Sequence, residues 1–310
     1  MAINLKELSK KTIPLSPGHR ACAGCGSIIT IKLVLMAAED PIVCVSATGC
    51  MEVVTSIYPY TAWRVPFMHN AFENAAATLS GIETAYRALL KRGAISGKIK
   101  FIAFGGDGGT YDIGLQSLSG AMERGHDLLY VCYDNEAYMN TGIQRSGSTP
   151  FCAATSTAPV GAVSTGKKQF PKDLTKIMVA HRIPYVAQAS PHRWQDLMGK
   201  VRKALSIEGP KFMNVISSCH RGWRVPMENS LDVCKLAVET CYWPLFEVEN
   251  GVWKLNYRPR QKLPITEWIK RQKRFSHLMK PENQPLVALM QEEVDRRWNE
   301  LLSLCGEKTG

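Results

Sequence analysis

The sequence contains no long hydrophobic run. No stretch approaches the roughly 18 consecutive apolar residues that a membrane-spanning helix needs. The opening Met1-Ala-Ile-Asn-Leu-Lys-Glu7 has neither the apolar core nor the small-residue cleavage site of a signal peptide. Internal repeats and low-complexity segments are also missing. Acidic residues are short: 27 Asp and Glu against 38 Lys and Arg leave a net charge of +11. Those basic residues are scattered, with no stripe interleaved with aromatics. No nucleic-acid footprint is therefore expected, and the excess points to acidic protein partners. The densest run, Ile269-Lys-Arg-Gln-Lys-Arg274, falls in a predicted helix and suits contact with another subunit. With no export signal, the ten cysteines read as reduced thiols and metal ligands, not as a disulfide frame, and a cytoplasmic location is expected. Cys44 and Cys132 sit in apolar strand-like runs and read as core fillers. The chain's 310 residues, 45% of them hydrophobic, suffice for a substantial core.

Two constellations stand out in what is present. The first is Phe101-Ile-Ala-Phe-Gly-Gly-Asp107-Gly-Gly-Thr-Tyr-Asp112, followed by Tyr133-Asp-Asn135-Glu-Ala-Tyr-Met-Asn140. An apolar strand ends in a Gly-Asp-Gly turn, where missing side chains let backbone N–H groups approach phosphate oxygens while a carboxylate reaches a divalent cation. Between the two runs, Tyr111 to Arg124 carries apolar residues at mostly helical spacing, so the whole reads as a βαβ unit. Such a unit brings Asp107 and Asn135 to one carboxyl edge of a parallel sheet, where open α/β folds bind ligands. A lone Gly-Asp-Gly is usually a tight turn. Paired with Asp-Asn at the end of the next strand, it is the fingerprint of a thiamine-diphosphate site.

The second constellation is Cys22-Ala-Gly-Cys25, with Cys50 and Cys219 each alone beside small residues at predicted strand ends. Cys-X-X-Cys serves zinc, iron–sulfur clusters and redox dithiols. The flanking Gly24 and Gly26 favour a tight loop around an inorganic centre, and four cysteines on three loops suit a cluster.

Further strands are expected at Pro184–Ala187 and Lys211–Ile216, with helices at Asn74–Lys91, Asp173–His181 and Trp194–Ser206. The Ser/Thr/Gly-rich stretch from Gly142 to Gly166 reads as a functional loop over the cofactor. Past Tyr242 the pattern changes to a hairpin around Asn250-Gly251, then amphipathic helices at Ile265–Leu278 and Gln284–Leu304. Residues 1–241 thus read as the binding domain and 242–310 as an extension for subunit docking.

On these residues the chain resembles the beta subunit of multi-subunit 2-oxoacid:ferredoxin oxidoreductases, most of all the pyruvate type. The likeness runs through Gly18-His-Arg20, Ala47-Thr-Gly-Cys-Met-Glu-Val53, Ser56-Ile-Tyr-Pro-Tyr-Thr-Ala-Trp63, His69-Asn-Ala-Phe-Glu-Asn74, Gly105 to Gly114, Asn140 to Pro150 and Tyr242-Trp-Pro-Leu245. The resemblance implies an α/β thiamine-diphosphate-binding fold: a mainly parallel sheet flanked by helices, plus a C-terminal hairpin and helical extension. It implies a 4Fe-4S cluster on Cys22, Cys25, Cys50 and Cys219, and magnesium on Asp107, the Asn135 side chain and the Ala137 carbonyl. Thr48, Gly49, Cys50, Gly106, Gly108, Gly109 and Thr110 would line the cofactor. Asn140 would face the substrate, and Asp112 is a further candidate for the pocket. Implied partners are an alpha subunit, ferredoxin-like and gamma subunits, and ferredoxin as electron acceptor. The implied reaction is oxidative decarboxylation of a small 2-oxoacid. Pyruvate leads, with coenzyme A as acyl acceptor; oxalate, which needs no coenzyme A, competes. Pyruvate-type sequences often have an acidic residue soon after the second cysteine, where this chain reads Gly26-Ser27-Ile28, and Phe151 to Pro159 is particular to this chain, which leaves the 2-oxoacid open. Rival readings are a non-redox thiamine decarboxylase or carboligase, which has no use for the cysteines, and a zinc-binding module, which has none for Gly-Asp-Gly.

Overall fold

The computed structural model describes residues 4–308. Its centre is one sheet of eight strands in the order β2-β1-β3-β4-β6-β5-β7-β8. The strands are β1 (Ile42–Ala47), β2 (Phe67–Asn70), β3 (Lys100–Gly106), β4 (Leu129–Asp134), β5 (Tyr185–Ala189), β6 (Lys211–Ile216), β7 (Phe246–Glu249) and β8 (Val252–Leu255). The first six run parallel, and β7 and β8 close the edge antiparallel.

Central strands of a parallel sheet are covered on both faces, so their sequences are apolar throughout and successive residues feed opposite layers. In β3, Ile102 and Phe104 pack on one side with the helices Gly26–Ala37 and Trp194–Ser206. Phe101 and Ala103 pack on the other, with Ala75–Lys91, Leu115–Glu123 and the end of Gln284–Leu304. Cys44 and Cys132 are fully buried in these layers, the core positions expected of them. A third apolar cluster, holding Trp223, Trp268 and Phe275, fills the space beyond the strand ends.

Several elements depart from the periodicity. The expected helix from Tyr111 starts instead as a π-helical turn, Gly108–Ile113, and becomes α-helical only from Leu115 to Glu123. Gly114 makes the junction possible, because a Cβ there would stand 2.3 Å from the Gly109 carbonyl oxygen. π-Turns widen a helix entrance and gather at functional sites. The helix expected over Ile265–Leu278 is a short one, Thr266–Ile269, and a 3-10 segment, Lys273–Met279. Extended backbone at Gln272 separates them, and Arg274 is buried beyond that break. The hairpin has the expected left-handed pair, Asn250 at φ 49° and Gly251 at φ 82°. Its strands join the main sheet through β5, so the C-terminal extension is continuous with the sheet.

Candidate functional site

β1, β3 and β4 end side by side, and Gly106 of β3 stands in register with Tyr133 of β4. Asp107 and Asn135 therefore leave the sheet as neighbours at its carboxyl edge, as the βαβ reading requires. Asp107 is fully buried. Its Oδ1 accepts from the Asn135 backbone N–H at 3.2 Å, and its Oδ2 accepts from Ser146 Oγ at 2.5 Å. One terminal atom of the Asn135 amide lies 3.1 Å from Asp107 Oδ1 and 3.0 Å from the Ala137 carbonyl oxygen. Presented as nitrogen, that atom donates to both oxygens. Presented as oxygen, it stands 3.1 and 3.0 Å from the other two oxygens, each the separation of adjacent corners of an octahedron with metal–oxygen bonds of about 2.1 Å. Burial, with the neighbouring Asp134 carboxylate, pushes the Asp107 pKa well above the usual carboxylate range. A divalent cation among these oxygens removes that penalty, so the residues fit the cation.

The turn that aims Ala137 back toward Asp107 depends on Glu136, which is held in the left-handed region at φ 66°. That conformation is costly for a residue with a side chain, and here the side chain is tied down. Its carboxylate is paired with the buried Arg274 guanidinium and accepts from Tyr242 Oη at 2.8 Å. Arg274 lies over the Trp223 ring at 4.4 Å, and Trp223 Nε1 donates to the Asn135 carbonyl at 2.8 Å. Beside them, Asp134 accepts from Ser148 Oγ at 2.7 Å, and its pKa is pushed up to about 7 by burial and then by the Glu136 charge.

Above the cation oxygens opens a cleft of about 330 Å³, whose walls include Thr48, Gly49, Cys50, Gly106, Gly108, Gly109, Asn135, Ala137 and Asn140. Nine residues expected at the site thus share one cavity. The glycines are required for close approach: a Cβ at Gly108 would enter the Tyr138 ring at 2.4 Å, and one at Gly109 would stand 2.9 Å from the Phe72 carbonyl oxygen. Thr110 and Asp112 lie outside. The Thr110 hydroxyl donates to the Gly106 carbonyl at 2.7 Å, locking the turn. Asp112 accepts from the Gly147 N–H at 2.8 Å, which fastens the long loop, and from Lys172 Nζ, beyond that loop, at 2.6 Å. That loop also differs from expectation. Asn140 and Thr141, just before it, line the cleft, whereas Ser146 to Ala153 are buried, with Ser146 and Ser148 bonded to the carboxylates from below. A larger cavity of about 640 Å³ lies against the C-terminal helix and contains none of the nine cleft residues.

One end of the cleft meets the cysteines. Cys50 begins the helix Cys50–Thr55, Cys25 caps Gly26–Ala37, and Cys219 caps His220–Trp223. Cys219 Sγ accepts from the Gly222 N–H at 3.4 Å, and burial pushes the Cys25 thiol up, opposed in part by the N–H groups of Ile28 and Ser27. The loops touch because two glycines allow it: a Cβ at Gly26 would stand 2.6 Å from Ser218 N, and one at Gly24 2.3 Å from the Met227 carbonyl oxygen. Burial, then the charges of Cys219, Cys25 and Cys22, push the Cys50 thiol up to about 12. Cys50 thus feels the charges of the other three thiols. Among the described residues, no three His, Cys, Asp or Glu side chains are drawn together as ligands of a single ion. Cys22 is exposed, which places this corner at the surface.

A buried carboxylate at the strand ends beneath a glycine-walled cleft is the layout of a thiamine enzyme, and residues 47–215 match the family model "Thiamine pyrophosphate enzyme, C-terminal TPP binding domain". The chain is 55% identical to pyruvate synthase subunit PorB of Thermotoga maritima, over 98% of this chain and 97% of that one. It is 57% identical to the Methanocaldococcus jannaschii protein of the same name, over 85% and 89%. Ketoisovalerate oxidoreductase subunit VorB of Pyrococcus abyssi is 42% identical, over 93% and 92%. A 2-oxoglutarate:ferredoxin oxidoreductase from Magnetococcus marinus shares the fold, with TM-score 0.56 and 20% identity over 73% of this chain and 81% of that chain. The chain belongs to the beta-subunit family of 2-oxoacid:ferredoxin oxidoreductases.

Sequence reasoning missed Tyr133, Ser146, Ser148, Glu136 and Arg274. Tyr133 sat inside an apolar strand run, and the others give no local signal, because their roles depend on chain segments far apart.

Proposed function

We propose that this chain is the cofactor-carrying subunit of a pyruvate:ferredoxin oxidoreductase. The observation that carries this reading is the Asn135 side-chain amide, 3.1 Å from Asp107 Oδ1 and 3.0 Å from the Ala137 carbonyl oxygen, in a chain more than half identical to pyruvate synthase subunits. Pyruvate is preferred over branched 2-oxoacids because the pyruvate-named relatives stand at 55% and 57% identity and the ketoisovalerate-named one at 42%.

In this reading Asp107, the Asn135 side chain and the Ala137 carbonyl hold magnesium. Gly108 and Gly109 admit the diphosphate to the backbone, and Thr48, Gly49 and Gly106 bound the remaining space. Cys22, Cys25, Cys50 and Cys219 hold a 4Fe-4S cluster, for which the helix-start N–H groups at Cys25 and Cys219 are suited, since they stabilise negative charge on sulfur. When bound, thiamine diphosphate would supply the nucleophilic carbon and the ring nitrogen that accepts the electrons of the broken carbon–carbon bond, and a cluster on the four cysteines would supply one-electron acceptance. The protein's contribution is placement. Asn140 offers an amide to the substrate's carboxylate or oxyanion, and Cys50, shared by the cleft and the sulfur corner, keeps the two centres adjacent. An alpha subunit completes the thiamine pocket, ferredoxin-like and gamma subunits join the assembly, and ferredoxin accepts the electrons.

Anaerobic viologen reduction by the purified assembly tests this, with pyruvate, 2-oxoglutarate, 3-methyl-2-oxobutanoate and oxalate each assayed with and without coenzyme A. Coenzyme A-dependent reduction with pyruvate is expected. Coenzyme A-independent reduction with oxalate would replace the substrate and keep the cofactor assignments.

A further inference from the structure

Tyr133 is the penultimate residue of β4, with its ring 1% exposed. Its hydroxyl is buried with no hydrogen-bond partner, and it lines the cleft. The molecule's other fully buried phenols are all paired. Tyr130 Oη meets Thr110 Oγ1 at 3.1 Å, Tyr185 donates to Glu247 at 2.7 Å, and the Tyr111 oxygen accepts from Asn214 at 2.6 Å. Two glycines clear the space that Tyr133 occupies. A Cβ at Gly49, at the end of β1, would stand 3.0 Å from the hydroxyl, and one at Gly106, at the end of β3, would stand 3.2 Å from the ring. A buried hydroxyl without a partner is costly, and one that faces a ligand cleft gains its partner when the ligand arrives.

We infer that the Tyr133 hydroxyl is a second anchor for the cofactor's diphosphate, donating a hydrogen bond to a phosphate oxygen beside the cation. Tyr133 pairs with Gly106 in register, one residue before Asp107 and two before Asn135, which puts it on the strand ends that carry the cation site. Phosphate oxygens are the strongest acceptors that such a ligand brings there, and O–H bonds to charged oxygens are the strong ones. Tyr133 is a positioning residue in this assignment, which rests on the thiamine-diphosphate reading of the cleft.

The test is calorimetric titration of the cofactor-stripped native assembly, wild type and Tyr133→Phe, with magnesium plus thiamine diphosphate and separately with magnesium plus inorganic diphosphate. Both ligands should bind the variant about tenfold more weakly. The unliganded variant should melt no lower than wild type, since phenylalanine keeps the ring and removes only an unpaired hydroxyl. Equal affinities in the two proteins overturn the inference. So does a loss confined to thiamine diphosphate, which moves the contact to the ring, or a lower melting temperature without ligand, which makes the hydroxyl structural. A wild-type assembly that binds neither ligand overturns the cofactor reading and this inference with it.

Discussion

Asp107 carries opposite energetic signs in the empty and filled site. Without a cation it is a carboxyl group buried against Asp134, and with one it is a ligand. Asp107→Asn should therefore weaken magnesium-dependent thiamine diphosphate binding roughly a hundredfold or more, the loss of about 3 kcal/mol that follows removal of one partner from a buried charge pair. The same variant, unliganded, should melt at or above wild type. Calorimetric titration and a thermal melt on one preparation check both signs. Cysteine variants separate the two centres in a similar way. Cys50 belongs to the cleft and the sulfur corner, whereas Cys22 is exposed and outside the cleft. Cys50→Ala should lose the cluster's broad visible absorbance and also weaken cofactor binding. Cys22→Ala should lose the absorbance alone, and unchanged absorbance in either variant removes that residue from the ligand set. Asp107 and Asn135 were legible in sequence because a strand followed by Gly-Asp-Gly is a local pattern. Ser146 was not, because its partner Asp107 lies 39 positions away.

At the scale of elements, the C-terminal extension supports the site as well as enlarging the sheet. Past the break at Gln272, Arg274 is buried and paired with Glu136, and that ion pair holds the left-handed turn between Asn135 and Ala137. Arg274→Met should leave the Glu136 carboxylate buried and unpaired and cost about 3 kcal/mol or more. Denaturant unfolding should show that loss, and magnesium affinity should fall with it although no ligand is altered. The turn Pro191–Arg193 before the helix Trp194–Ser206 has a separate pH sensitivity. His192 is pushed down to about 4 by burial, with Arg193 and Lys235 adding to the effect. The unfolded chain binds that proton more tightly, so the neutral ring's contribution is whole above pH 6.5 and lost as pH falls toward 4. At about 1.4 kcal/mol per pH unit this amounts to at most roughly 3 kcal/mol. His192→Gln should flatten that part of the acid limb in a pH series of unfolding midpoints.

For the whole molecule, the charge of +11 matters most where electrons would leave. Arg20, Arg221 and Arg224 are exposed beside the Cys22 and Cys219 loops, and such a rim attracts an acidic protein and repels a cationic dye. Raising ionic strength from low to physiological should lower kcat/KM for an acidic ferredoxin about tenfold. Viologen reduction, lacking that attraction, should not slow in parallel, and equal salt responses would place the encounter elsewhere.

The sheet's central strands, the strand edge that carries Asp107 and Asn135, and the four cysteines were legible in the sequence alone. All of these rest on apolar periodicity or on short motifs whose chemistry is local. Tertiary structure alone decided that Thr110 and Asp112 brace the turn and the loop from outside the cleft. It also decided that residues 146–153 are buried, that Arg274 anchors the turn at Glu136, and that Tyr133 lines the cleft with an unpaired hydroxyl. Each of these is a contact between segments remote in the chain. Burial and pairing there depend on which surfaces the folded sheet brings together, and no spacing along the sequence records them.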